Sequence, residues 1–242
     1  MHGTPKNVVL TFDDGLQSHY DVVKPLLEEH GFRGTFFITP VRMPRSDNLE
    51  LEELPIPISK LKEMHDGGHE IGNHTMNHWR MATLRESLSK SVEDIHEGIQ
   101  RLNDHIVSGG MPRPTSFCYP GYHCNRTLAE IVERHGFKFA RTGYIYDEIS
   151  GPIRYPEYYY PGKHSPVWED HERLMLRSTG IVSDQYTCRH FVHDVDRQPL
   201  DTYSIFTFHG VRVDSQIEDF REILNFLYRN KHNVMLLRDV PI

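Results

Sequence analysis

Runs rich in β-branched and aromatic residues alternate with helix-periodic stretches from residue 8 to residue 237, and few architectures accept that rhythm. The strand-like runs are VVLTF (8–12), GTFFIT (34–39), HEIGNH (69–74), TSFCYP (115–120), FKFART (137–142), YSIFTFH (203–209) and NVMLL (233–237). Helical patterns lie between them, near 19–30, 58–66, 83–107, 126–135 and 215–230. In the longest, Leu84, Leu88, Val92, Ile95, Ile99 and Leu102 recur every three or four residues and make one apolar face. Glycines close several helices, as in EEHGF, MHDGGHE and ERHGF. Alternation of this kind predicts parallel strands joined by right-handed crossovers. Seven or so such units without a linker-like segment predict one barrel-like α/β domain over 1–242.

Two stretches break the rhythm. Residues 41–59 are acidic and punctuated by proline, and are expected to form a long loop. Residues 144–170 carry six tyrosines and one tryptophan among four prolines. They are also expected to be loop, suited either to stacking on sugars or to packing beneath the loop. In barrels of this kind the loops after the strand C-termini build the active site.

The groups at those predicted strand ends carry the chemistry. Asp13 and Asp14 follow the first strand, and like charges so placed repel one another and resist desolvation. His74 and His78 follow the third strand at i and i+4, a spacing that brings two imidazoles to one face if the segment makes a helical turn. His209 follows the penultimate strand. Two histidines and a carboxylate form a set for a divalent cation with open positions, and a cation offsets the repulsion within the acidic doublet. The second carboxylate can then accept a proton from water, and a third histidine suits protonation of a leaving group. Together the groups predict metal-assisted hydrolysis of an acyl bond.

TFDDG, HTMNH and FTFHG, in this order and in these strand contexts, resemble the polysaccharide deacetylase (NodB-homology) family, carbohydrate esterase family 4. The resemblance implies a distorted (β/α)7 barrel. It implies a metal triad of Asp14, His74 and His78, usually with Zn2+, a general base Asp13 and a general acid His209. It also implies removal of N-acetyl groups from an amino sugar or polysaccharide.

The family's third motif carries an arginine that holds the base, whereas here the region reads TSFCYPGYHCN (115–125) with no arginine in that place. Arg141, at the end of the next strand, is expected to supply that charge. The turn at Tyr119, Pro120, Gly121 and Tyr122 is expected to contact substrate and to offer a backbone N–H to the oxyanion. Trp79 is expected on the cleft wall. The Asp-Trp motif of the family is absent; residues 183–191 are the nearest region. A small-molecule C–N bond is the rival substrate class, and a non-catalytic carbohydrate-binding module the rival from outside enzymes.

The chain has 17 histidines, so bystanders are expected. His19, His30, His96, His105, His135 and His232 fall in helix or helix-end patterns and are expected at the surface or as caps. A net charge of −7 argues against nucleic acid or an anionic membrane as a general partner. No stretch reaches the length of a membrane-spanning helix. Three cysteines with no CxxC spacing, and no signal-like start, fit a reducing, cytoplasmic setting. Cys118 and Cys124 are expected to be a buried small residue and a loop thiol.

Overall fold

A computed structural model describes residues 4–40, 54–78, 88–124, 126–147, 151–153, 172–182 and 186–241. The chain begins with β1 (Asn7–Phe12), a π-helical turn at His19–Val23 and α1 (Lys24–Glu29). β2 (Thr35–Ile38), α2 (Ile58–Asp66), β3 (Glu70–Asn73) and α3 (Leu88–Ser108) follow. Next come β4 (Ser116–Cys118), β5 (His123–Cys124), α4 (Arg126–Arg134) and β6 (Phe139–Thr142). β7 (Tyr144–Asp147), β8 (Gly151–Ile153), β9 (Leu176–Arg177) and β10 (Gly180–Val182) precede α5 (Cys188–Arg197). The chain then runs through β11 (Tyr203–Phe208), α6 (Asp214–Arg229) and β12 (Asn233–Met235).

The strands pair in the order β10-β11-β1-β2-β3-β4-β6-β9, all parallel, with β12 added beside β1. β9 pairs with β6 at one end of this series and β10 with β11 at the other. Only Ser178 and Thr179 separate them, so one extended segment bridges the two ends and curls the sheet into a distorted (β/α) barrel. That segment is too short to show alternation, and the sequence reading missed it, as it missed α5. The expected loop from residue 144 also begins differently. β7 and β8 form an antiparallel pair, and β5 adds to β7 in a small second sheet.

The alternation of side chains along a strand decides what enters the barrel. From β1, Val8, Leu10 and Phe12 join the cluster beneath the helices, whereas Val9 belongs to the interior cluster. Phe12 stacks on Phe36 at 4.7 Å and on Phe208 at 5.1 Å, and Phe220 of α6 meets Phe208 edge-on at 5.3 Å. The opposite phase carries polar groups inward. Glu70 accepts hydrogen bonds from Thr35 Oγ1 (2.8 Å), Ser116 Oγ (2.5 Å) and the Arg238 backbone N–H (3.2 Å). It thereby joins three strands to the C-terminal segment.

Candidate active site

The same alternation, continued one step past each strand, assembles the site. The β1–β11 register pairs Phe12 with Phe208, and the Asp13 N–H donates to Phe208 O at 2.9 Å. Asp13 and His209 are therefore adjacent, with His209 Nε2 4.0 Å from Asp13 Oδ2. The register Asn73↔Phe117 brings His74 beside Cys118, and Cys118↔Arg141 brings the guanidinium in from β6. All of these groups lie at the C-terminal rim of one parallel sheet.

Asp14 has φ +75 and Gly15 φ +59, so the chain leaves β1 through two successive left-handed residues. Glycine takes that conformation freely, whereas the aspartate is held there at a cost. The turn points Asp14 away from Asp13 and toward the histidines. Asp14 Oδ1 is 3.6 Å from His74 Nε2 and 3.4 Å from His78 Nε2. The imidazoles lie edge to face at 4.8 Å.

His74 and His78 do not sit on a helical turn as their spacing predicted. Thr75 (φ +63) and His78 (φ +48) are left-handed, and one local and one tertiary hydrogen bond hold this turn. Asn73 Oδ1 accepts from the Thr75 N–H at 2.8 Å, and the Met76 N–H donates to Gly98 O of α3 at 2.9 Å.

The donor set fits a divalent cation. One donor atom from each of Asp14, His74 and His78 falls within 4.8 Å of the other two. His74 Nδ1 is 2.8 Å from Cys118 O, which makes that nitrogen the N–H and leaves the Nε2 lone pair facing Asp14. Burial alone would raise the Asp14 pKa; the imidazoles gathered around it, His74 foremost with His209 and His78, outweigh it and hold the carboxyl well below its usual range. Asp13, His74 and Cys118 also come together, but Arg141 Nη2 stands 2.6 Å from both Asp13 Oδ1 and Cys118 Sγ. The guanidinium already serves as the cation there.

Arg141 is fully buried, and its guanidinium spans both carboxylate oxygens of Asp13. Burial pushes the Asp13 pKa upward, yet Arg141, with help from His74 and His209, holds it below the ordinary value. Arg141 Nη1 donates to Ser178 Oγ at 3.2 Å, and Ser178 in turn meets Thr207. The segment that closes the barrel therefore also steadies the arginine. No arginine stands in residues 115–125, and the charge arrives from the next strand.

Other predicted residues fall differently. Tyr119 is fully buried; its hydroxyl donates to Leu174 O at 2.9 Å and its ring packs on Phe117, so it belongs to the core and not to a substrate surface. Its phase along the strand turns it away from the rim. The Tyr119 N–H donates to Arg141 O, and the Tyr122 N–H to Tyr119 O, both at 3.1 Å. Of the predicted oxyanion donors in this turn, only the Gly121 N–H stays outside those two bonds, since proline has none. Pro120 is buried, and Tyr122 reaches His209, its hydroxyl 2.8 Å from Nε2. Trp79, most of the tyrosine-rich loop and residues 183–185 lie outside the described residues.

His19 was expected at the surface and is instead wholly buried beneath the rim. The π-helical turn swings it inward, edge-on to Phe12, and its Nε2 donates to His209 O at 2.7 Å. No periodic signal marks a π turn, so this contact is not legible in the sequence. Beside His209, a cavity of about 220 Å³ is lined by Val182, Phe208, Val211, Gln216, Asp219 and Phe220 among others.

A family model described as polysaccharide deacetylase matches residues 2–140, more than half of the chain. The chain belongs to the polysaccharide deacetylase family. It is 29% identical over 134 residues to the peptidoglycan-N-acetylglucosamine deacetylase of Bacillus cereus, covering 55% of this chain and 54% of that protein. It is also 29% identical over 102 residues to the peptidoglycan-N-acetylmuramic acid deacetylase of Bacillus subtilis, covering 42% and 32%. The matched region thus spans about half or less of these relatives' lengths.

Among solved structures, the carbohydrate esterase family 4 domain of a xylanase from the hindgut metagenome of Trinervitermes trinervoides superposes with a TM-score of 0.60. That match has 16% identity and covers 98% of this chain and 89% of the other. The family 4 carbohydrate esterase of Streptomyces lividans, solved with acetate, gives a TM-score of 0.57 at 17% identity, covering 96% and 93%. At these identities the likeness establishes the fold that this deacetylase-family chain shares with them.

Proposed function

We propose that the protein is a divalent-metal-dependent deacetylase that hydrolyses the N-acetyl group of an amino sugar within a glycan. One observation carries the reading. A three-donor set of Asp14, His74 and His78 opens beside a carboxylate, Asp13, that Arg141 keeps ionised, and an imidazole, His209, stands across from it.

A divalent cation, Zn2+ in this reading, held by Asp14, His74 and His78 supplies Lewis acidity to the acyl oxygen and to water. Asp13 takes a proton from the water as its oxygen bonds to the acyl carbon. Arg141 keeps Asp13 ionised and fixes its orientation, so its proton-accepting oxygen is in place when water attacks. The oxyanion of the tetrahedral intermediate lies within reach of the Gly121 N–H in this reading. As the C–N bond breaks, His209 gives a proton to the leaving nitrogen, and the products are acetate and a free amine. In this reading Arg141 supplies the charge that residues 115–125 lack, and its pairing with Asp13 supports a catalytic domain over a non-catalytic module.

Acetate release from chito-oligosaccharides and N-acetylated peptidoglycan fragments, measured beside a panel of small amides, tests the substrate class. Release confined to the small amides overturns the glycan assignment, and full activity in chelator-stripped protein overturns the mechanism.

A further inference from the structure

We propose that Tyr122 is a positioning residue for the reaction: its hydroxyl holds the His209 imidazole, and its ring links that acid to the counter-ion of the base. The inference rests on the reading of His209 as the acid.

His209 stands at the end of β11 with 40% of its side chain exposed. A half-exposed imidazole hops between rotamers unless something holds it, and an acid–base histidine works only when a third group orients it. Among the described residues the one carboxylate within 4.0 Å is Asp13, at that limit and already spanned by Arg141. Tyr122 supplies the closer contact. Its hydroxyl straddles the imidazole edge, 2.8 Å from Nε2 and 3.4 Å from Nδ1, and the rings meet edge to face at 5.9 Å and 78°.

Tyr122 is itself tightly held. It adopts φ +67, which a tyrosine keeps only when its surroundings compel it. Its carbonyl accepts from Thr142 Oγ1 at 2.7 Å and from the Gly143 N–H at 3.4 Å. A Cβ on Gly143 would stand 2.8 Å from Tyr122 Cβ and Cδ1, so the glycine leaves the space that the ring fills. The Arg141 guanidinium lies 5.5 Å from the centre of the Tyr122 ring, within cation–π range. One side chain thus touches the arginine that fixes the base and the histidine that serves as acid. Burial pushes the hydroxyl's pKa up, so it stays a neutral group able to donate or accept as the His209 proton comes and goes.

Tyr122→Phe removes only the oxygen. In the metal-loaded full chain, kcat is expected to fall about three- to tenfold, the range one hydrogen bond is worth, with KM, metal content and Tm unchanged. The nitrogen NMR signals of the His209 ring are expected to change in the metal-free Tyr122→Phe protein as well. Gly143→Ala, which displaces the ring, is expected to reproduce the kcat loss. In a His209→Ala background, Tyr122→Phe is expected to cost nothing further. Unchanged kcat and unchanged His209 ring signals in Tyr122→Phe, beside an inactive His209→Ala, overturn the Tyr122 assignment alone. A fully active His209→Ala overturns it together with the reading of His209.

Discussion

Arg141 Nη2 lies 2.6 Å from Asp13 Oδ1, and the two side chains are 0% and 2% exposed. The two residues are 128 apart in the chain, and the guanidinium also touches Cys118, in the 115–125 region that carries no arginine. A charge can change its place in sequence and keep its place in space, because neighbouring parallel strands deliver inward-facing residues to the same rim.

Removing either partner strands the other as an uncompensated buried charge. Arg141→Met is expected to destabilise the protein by about 3–5 kcal/mol and to abolish deacetylation. Adding Asp13→Asn to it is expected to recover much of that stability without recovering activity. Urea unfolding of the single and double variants measures the coupling. An Arg141→Met protein with parental stability and activity would show that the pair does not matter.

Asp13 and Asp14 are adjacent in sequence, but the left-handed turn at Asp14 gives them separate tasks. Asp13→Asn is expected to keep a bound divalent cation and lose activity by at least a hundredfold, the low end of a general base's worth. Asp14→Ala, His74→Ala and His78→Ala are expected to lose the cation itself. Elemental analysis of the purified variants, run beside acetate release, separates the two classes. Retention of metal by all four would undo the triad.

His19 and His69 are buried, and burial, the largest cause for each, lowers their pKa from the usual 6.5 to about 4. Above pH 6.5 each is neutral in both folded and unfolded chains, so neither affects stability. As pH falls from 6.5 toward 4, the unfolded chain takes up protons that the folded one refuses, and stability drops by up to about 1.4 kcal/mol per pH unit for each histidine. Asp13 and Asp14, both held below 3.8, give up their contributions only as pH falls below that value. Unfolding free energies measured from pH 7 down to pH 2 should therefore decline in two stages, the histidine stage between about 6.5 and 4 and the aspartate stage below 3.8. His69→Gln, which keeps an acceptor for the Gly34 N–H, should flatten the first stage, and an unaltered slope would count against it.

Gly72 sits in β3 where an added Cβ would stand 2.5 Å from the Phe37 ring and 3.1 Å from Ser116 O. Gly72→Ala is expected to cost about 1–3 kcal/mol by overpacking the barrel interior. Thermal unfolding measures it, and Phe37→Leu in the same chain should restore part of the loss by freeing the space.

The long elements were legible because they obey one period each. β1, β3, α2 and α6 lie within a residue or so of where alternation or helical spacing puts them. What escaped was short or aperiodic: the segment 176–182 that closes the barrel, and the π-helical turn that buries His19. The site was legible as residue types near strand ends. Its geometry was not, since the His74–His78 segment is shaped by contacts with α3 and not by its own periodicity.

The sequence by itself determined the family and the parallel α/β order, because local periods and motif spacings are properties of the chain alone. Only the tertiary structure decided that Arg141 meets Asp13, that Tyr119 belongs to the core, and that Tyr122 and His19 hold His209. Those relations depend on register between strands distant in the chain and on left-handed turns, and long-range packing sets both.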